Sequence, residues 1–198
     1  MSEFFLELFS DEIPASLQKN AREALLQNFK FFFEKENIGF TKCNTYSTPN
    51  RLLILFDNVK KEIIQKSEVI KGPNINAPEK ALEGFLRSNK IAEEEIFKKK
   101  TDKGEFYFYK KLEKKVYTID LLEKNIPQIL DKISWKKSMK WGDFDLNWAR
   151  PLKSILAVFD NKILNFNFYH LKSSNTTFVD KEFEDKKKIF KNFKFYKD

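Results

Sequence analysis

Lys136-Lys137-Ser138-Met139-Lys140-Trp141-Gly142 sets three ammonium groups beside an indole, and Arg150-Pro151 follows shortly after. Lys and Arg neutralise phosphate, and an indole can stack on a base, so the segment has the chemistry of an RNA contact. A buried indole flanked by solvated lysines would read the same way. Arg itself is informative, because the chain has 37 Lys+Arg and only Arg22, Arg51, Arg87 and Arg150 are guanidinium. A kept Arg in so Lys-rich a chain points to a planar, bidentate contact that Lys cannot copy. That contact is either to phosphate or to an internal carboxylate.

Other chemistries are poorly represented. His170 is the only histidine, and no Ser or Cys stands near it at nucleophile spacing. Cys43 is the only cysteine, so no internal disulfide forms, and a zinc finger or Cys cluster lacks its ligands. Glu93-Glu94-Glu95 reads as a solvated helix start. Asp143 and Asp145, between Trp141 and Trp148, read as a turn or a cap.

The chain has 198 residues, 41% of them hydrophobic and 16% aromatic. It is large enough for a real core and too apolar for intrinsic disorder. No apolar run approaches the ~18 residues of a membrane span. The start, Met1-Ser2-Glu3-Phe4-Phe5, lacks a secretory n-region, and the expected compartment is the cytoplasm. The net charge of +8 favours a nucleic-acid partner. Part of the Lys excess follows the wider Lys, Phe, Ile and Asn skew of an A/T-rich coding sequence. Only five Gly residues occur and none forms a phosphate loop, which argues against a nucleotide-cradling fold.

Elements must position these groups. Phe4–Phe9 reads as a strand. Leu17, Ala21, Leu25, Phe29 and Phe32 recur at helical spacing after Pro14, predicting a helix over 15–35 that Asn37-Ile38-Gly39 ends. Strands are expected at 40–46, 51–56, 62–70 and 105–112, and helices at 79–89 and 118–133. Pro127 predicts a kink or break in the last of these. A short helical turn is expected at 92–97, and Asp160-Asn161 predicts a tight hairpin between strands 154–159 and 162–170. The tail from Val179 has loosely helical spacing. The class is α+β: antiparallel strands with three or four packed helices.

Several segments also carry a resemblance. They are Phe5-Leu6-Glu7-Leu8 with Asp11-Glu12-Ile13-Pro14; Thr48-Pro49-Asn50-Arg51-Leu52; Lys71-Gly72-Pro73 with Lys80-Ala81-Leu82-Glu83-Gly84-Phe85; Thr101-Asp102-Lys103-Gly104-Glu105; and Met139-Lys140-Trp141-Gly142 with Arg150-Pro151. Taken in order, they resemble the N-terminal region of the beta subunit of the bacterial heterotetrameric glycyl-tRNA synthetase. Residues 1–177 would be that α+β region and 178–198 a Lys/Phe-rich, truncated continuation. There are departures. Phe178-Val179-Asp180-Lys181-Glu182-Phe183 follows Thr176-Thr177 where the family carries Gly-His-Arg-Phe, with Val179 and Asp180 in place of its Gly and His. Asn50 replaces a commonly basic residue. The family's subunit is several times longer, with a later HD-type helical domain and an anticodon-binding domain, so an N-terminal fragment or a truncated or split product is expected.

The resemblance implies a part in glycine–tRNA ligation. The family uses ATP to make glycyl-adenylate and passes the glycyl group to the tRNA 3′ end. It implies no cofactor in this chain, with ATP, Mg²⁺ and glycine on a separate alpha subunit and the beta subunit serving tRNA binding and assembly. The expected partners are that alpha subunit and the tRNA for glycine, with no membrane and no DNA, and the chain alone is expected not to be catalytic. The candidate RNA-binding residues are Arg51, Lys71, Lys140, Trp141 and Arg150. An editing role is disfavoured, since nothing smaller than glycine exists for a sieve to sort. Two alternatives stay open: a stand-alone RNA-binding module, and an inactive remnant with an exposed apolar face. Phe183, Phe190, Phe193, Phe195 and Tyr196 are where such exposure is expected.

Overall fold

A computed structural model describes residues 2–65, 67–179 and 186–197. The chain divides into two units, 1–63 with 117–198, and 64–116. In chain order the described elements begin with Phe4–Ser10 (β1), Ala15–Lys35 (α1), Lys42–Thr48 (β2), Arg51–Asp57 (β3), Glu62–Gln65 (β4) and Glu68–Asn74 (β5). Glu79–Asn89 (α2), Ile96–Thr101 (β6), Gly104–Lys111 (β7), Lys114–Tyr117 (β8) and Thr118–Asp131 (α3) follow. The rest are Met139–Lys140 (β9), Asn147–Trp148 (β10), Leu152–Phe159 (β11), Lys162–Ile163 (β12), Asn167–Phe168 (β13), Leu171–Lys172 (β14), Thr176–Phe178 (β15), Lys187–Ile189 (β16) and Phe193–Lys197 (α4). The α+β class is as read from the sequence.

In the larger unit an antiparallel sheet runs β12-β11-β1-β3-β2. Strand β1 is central and buried along its whole length. That explains its run of apolar residues, broken by Glu7, since a strand covered on both faces has no solvent side. Its even positions, Phe4, Leu6 and Leu8, align with Phe56, Ile54 and Leu52 on β3 and with Phe159, Ala157 and Ile155 on β11. Helix α1 packs on this face. Phe4 meets Phe29 and Phe33, and Phe33 stacks on Phe56 at 4.5 Å between centroids. The buried stripe of α1 is Leu17, Ala21, Leu25, Phe29, Phe32 and Phe33, each side chain contributing about 1.5–3 kcal/mol where large and apolar. The helix stops where Asn37 takes a left-handed conformation (φ 56°). Ile38 N–H then reaches Phe33 O and Asn37 N–H reaches Glu34 O, satisfying the last carbonyls.

The odd positions of β1 are covered by the tail. Phe5, Leu53, Leu55, Leu156, Val158 and Phe190 form one cluster, with Phe193 and Tyr196 packed against it. Strand β16 pairs with β15, and the Glu3 carboxylate accepts from Phe193 N–H at the start of α4. The expectation of an exposed aromatic tail is therefore corrected for Phe190, which is buried, and for Phe193 and Tyr196, which are half-buried; Phe195 stays exposed. Phe183 lies outside the described residues. Among its described residues the tail forms a short strand and a one-turn helix rather than one amphipathic helix.

Tyr196 carries a pH prediction. Burial, with the Glu7 carboxylate beside it, pushes its hydroxyl above the ordinary phenol value. An unfolded Tyr ionises near about 10. Above that pH the unfolded chain releases a proton that the folded chain holds, so the contribution is intact below about pH 10 and is lost as pH rises further. Melting curves from pH 9 upward are expected to fall more steeply for the native chain than for Tyr196→Phe.

In the smaller unit β5-β7-β6 form an antiparallel sheet with α2 against β5. The turn Asp102-Lys103 closes β6 on β7, with Gly104 at φ 113° where a side chain would be strained. Other expectations need correction. The single strand at 62–70 is two, β4 and β5, and β5 runs on through Gly72-Pro73 to Asn74. The helical turn at 92–97 ends at Glu95 and gives way to β6, which the Lys run hid. Helix α3 continues through Pro127, its buried Leu122, Ile126, Ile129 and Leu130 holding it on the core. The Asp160-Asn161 turn has both residues at positive φ, as its hairpin requires. Strand 162–170 is instead β12 and β13, with a second turn through Tyr169 and His170.

Candidate nucleic-acid interface

Pro14 caps α1, whose first turn holds no acid and no side-chain cap. Its start opens into a cavity of about 530 Å³ lined by Pro14, Ser16, Leu17, Lys136, Lys137, Ser138, Met139, Ala149 and Arg150. Three cations and no carboxylate meet there. A helix start carries partial positive charge, which adds to theirs. Arg150 is fixed by its Nε, which donates to Glu12 O at 3.1 Å. Trp135, next to the Lys136-Lys137 run, meets the buried Trp148 edge-on at 5.0 Å.

The five sequence candidates fall in five places. Arg150 is at this cavity. Trp141 is half-buried beside it, its Nε1 donating to Trp148 O at 3.3 Å. It lines a second, aromatic cavity of about 210 Å³ with Gly142, Phe144, Leu146, Pro151, Leu152 and His170. The His170 ring stacks on Phe144 at 3.6 Å between centroids. Lys140 pairs with Asp145 at 2.8 Å, and both are exposed. Their hydrogen bond raises the Lys140 ammonium and lowers the Asp145 carboxyl from their ordinary values. Lys71 belongs to the smaller unit, where its Nζ lies 3.5 Å over the Phe106 ring.

Arg51 takes the internal alternative. Its Nη1 donates to Glu7 Oε2 at 2.9 Å and to Thr177 Oγ1 at 3.0 Å. Its Nη2 donates to Phe178 O and Val179 O, and the guanidinium lies over the Phe9 ring at 4.6 Å. Glu7, with no side-chain exposure (0%), also accepts from the Thr177 and Tyr196 hydroxyls. Glu7 was not singled out from the sequence. A lone acid inside the apolar run Phe4–Phe9 was the available signal, since a carboxylate is buried only when paired.

The lone Cys43 is partly buried in β2. Among the described residues no three His, Cys, Asp or Glu are grouped to hold a metal. None of their helices is long and apolar enough to cross a membrane.

The site is a cavity with three cations beside an aromatic one, on an α+β unit. Residues 4–198 match the family described as "Glycyl-tRNA synthetase beta subunit". The chain is 39% identical over 197 residues to the glycine–tRNA ligase beta subunit of Rickettsia prowazekii (strain Madrid E), covering 100% of this chain and 30% of that protein. It is 38% identical over 197 residues to that of Rickettsia canadensis (strain McKiel), covering 100% of this chain and 29% of the relative. The beta subunit of Rickettsia bellii (strain OSU 85-389) is also 38% identical, over 30% of its length. The chain belongs to the glycyl-tRNA synthetase beta subunit family. It spans about 30% of the length of the curated relatives it matches.

Proposed function

We propose that this chain supplies tRNA binding and assembly to ATP-dependent glycyl-tRNA formation, as part of a beta subunit working with a separate alpha subunit. In this reading ATP, Mg²⁺ and glycine are bound by the alpha subunit, the setting is the cytoplasm, and the chain does no chemistry alone. The observation that supports it is the convergence of Lys136, Lys137 and Arg150 on one cavity at the start of α1, in a chain of this family. Cations in a cavity release counterions when a phosphate backbone enters, so affinity falls as salt rises. Trp141, at the neighbouring aromatic cavity, offers a ring for a base at the edge of the same basic patch. Lys140, held by Asp145, adds to the field rather than making a fixed contact.

The test is capture of the tRNA for glycine at two salt concentrations, with and without the alpha subunit. The native chain should retain tRNA at low salt and release it at high salt. The Lys136→Gln/Lys137→Gln/Arg150→Gln variant should bind at least about tenfold more weakly at low salt, with a salt slope smaller by about 2–3. Retention of neither tRNA nor alpha subunit at low salt would sink the reading. Capture of unrelated RNAs with no alpha-subunit affinity would turn it into a free-standing RNA module.

A further inference from the structure

The three-stranded sheet in the smaller unit carries rings and lysines on both faces but sorts its acids to one. Strand alternation, checked against the register, puts Val69 and Lys71 of β5, Phe97 and Lys99 of β6, and Phe106, Phe108 and Lys110 of β7 on one side. The acids of these strands, Glu68 and Glu105, alternate onto the other side. Helix α2 packs on β5 where its register is irregular, between Lys71 and Asn74: a Cβ on Gly72 would meet the Phe85 ring at 3.0 Å. The first side therefore carries three rings and three ammonium groups with no carboxylate. Phe97 and Phe108 stack at 6.0 Å between centroids, and Lys71 sits over Phe106. Phe97 is 41% exposed and Val69 53% exposed, whereas Phe108 is buried and Phe106 half-buried, so Phe97 is the ring a ligand would reach.

We propose that this face is a platform for an unpaired RNA strand. A base stacks on the exposed Phe97 ring, and Lys71, Lys99 and Lys110 take the phosphates on either side of it. Rings alone would suit a protein partner equally well. Lysines alone would suit duplex RNA. Exposed ring and surrounding cations together, with the acids on the opposite side, fit an unpaired strand, whose bases are free to stack while its phosphates stay in reach. The site is separate from the cavity at Lys136, Lys137 and Arg150. It shares with the preceding section only the reading that the partner is RNA.

The experiment measures binding of the full chain to a labelled unpaired RNA dodecamer of mixed sequence and to a blunt RNA duplex. Phe97→Ala should weaken the dodecamer about tenfold and leave the duplex unchanged, and Phe97→Tyr should restore it, because stacking needs the ring. Lys99→Gln, which leaves every ring in place, should reduce the salt slope for the dodecamer by about 0.7. Equal dodecamer affinity for the native chain and for both variants would overturn the proposal. So would a change in self-association on Phe97→Ala with no change in RNA binding, which would make the face a protein contact. The Lys136→Gln/Lys137→Gln/Arg150→Gln variant, measured with tRNA in parallel, separates the two sites. If tRNA binding depends on the cavity and the dodecamer ignores Phe97, only the platform fails; the converse result removes only the cavity.

Discussion

Arg51→Ala is expected to lower the unfolding free energy by about 3–5 kcal/mol, read from urea denaturation midpoints at constant slope. The substitution leaves the Glu7 carboxylate at the centre of the sheet without its cation. It also strips Phe178 O and Val179 O of their donor. The guanidinium is only 16% exposed, so water does little to screen the loss. Arg51→Lys should recover a minor part, because one ammonium cannot reach Glu7, Thr177 and two carbonyls at once. The diagnostic comparison is with Glu7→Gln/Arg51→Met. Removing both charges should cost less than removing Arg51 alone, since no bare charge is left buried. Equal losses for the single and double variants would mean that the pair is a packing contact and not an electrostatic one.

Phe193→Ala/Tyr196→Ala is expected to cost about 3 kcal/mol or more, since half-buried rings lie below the 3–5 kcal/mol of a fully buried aromatic and two are lost. The more telling readout is dye binding to exposed apolar surface. Phe5 contacts Phe193 and Tyr196 at 5.3 and 4.9 Å between centroids, so their removal bares it with Leu53, Leu55 and Val158. A bared patch of that kind recruits dye or a second chain. If neither stability nor dye binding changes, the tail is decoration on a face that is closed without it.

Where one face of an element is buried, the sequence carried the fold. Helix α1, 21 residues long, matches its predicted span because Leu17 to Phe33 keep a single period. Asp160-Asn161 gave its hairpin because only a few residue types accept positive φ twice. Strand β6 was not legible: Phe97-Lys98-Lys99-Lys100 has too many charges to look like a strand until β7 is beside it, and long Lys stems lie well along a sheet. The two-residue strands β9, β10, β13 and β14 have no period to read. At the site, Arg150 and the Lys136-Lys137 pair were legible as a charge cluster, but their shared cavity depends on α1 starting more than a hundred residues earlier. Arg51 was legible as an unusual residue and not as an internal one, because its partners, Glu7 and Thr177, sit far away on both sides of the chain. The open ring-and-lysine face needed register, which no single strand shows.

The neighbours of β1 set a timetable. Its first partner, β3, follows within about fifty residues, but its other partner, β11, is made roughly 150 residues after it, and the residues that cover its odd positions later still. At ordinary translation speeds of about 5–20 residues per second, the nascent chain spends roughly ten to thirty seconds with a bare, mostly apolar strand edge. Helix α1 can close one face early, and the 64–116 unit can fold on its own local pairings meanwhile. Glu7 has its cation from β3 but neither hydroxyl until the tail arrives. The slow step of folding should therefore be the docking of β11 and the tail, with high sequence separation setting the rate. During that wait β1 would be the natural substrate for a chaperone that binds extended apolar segments.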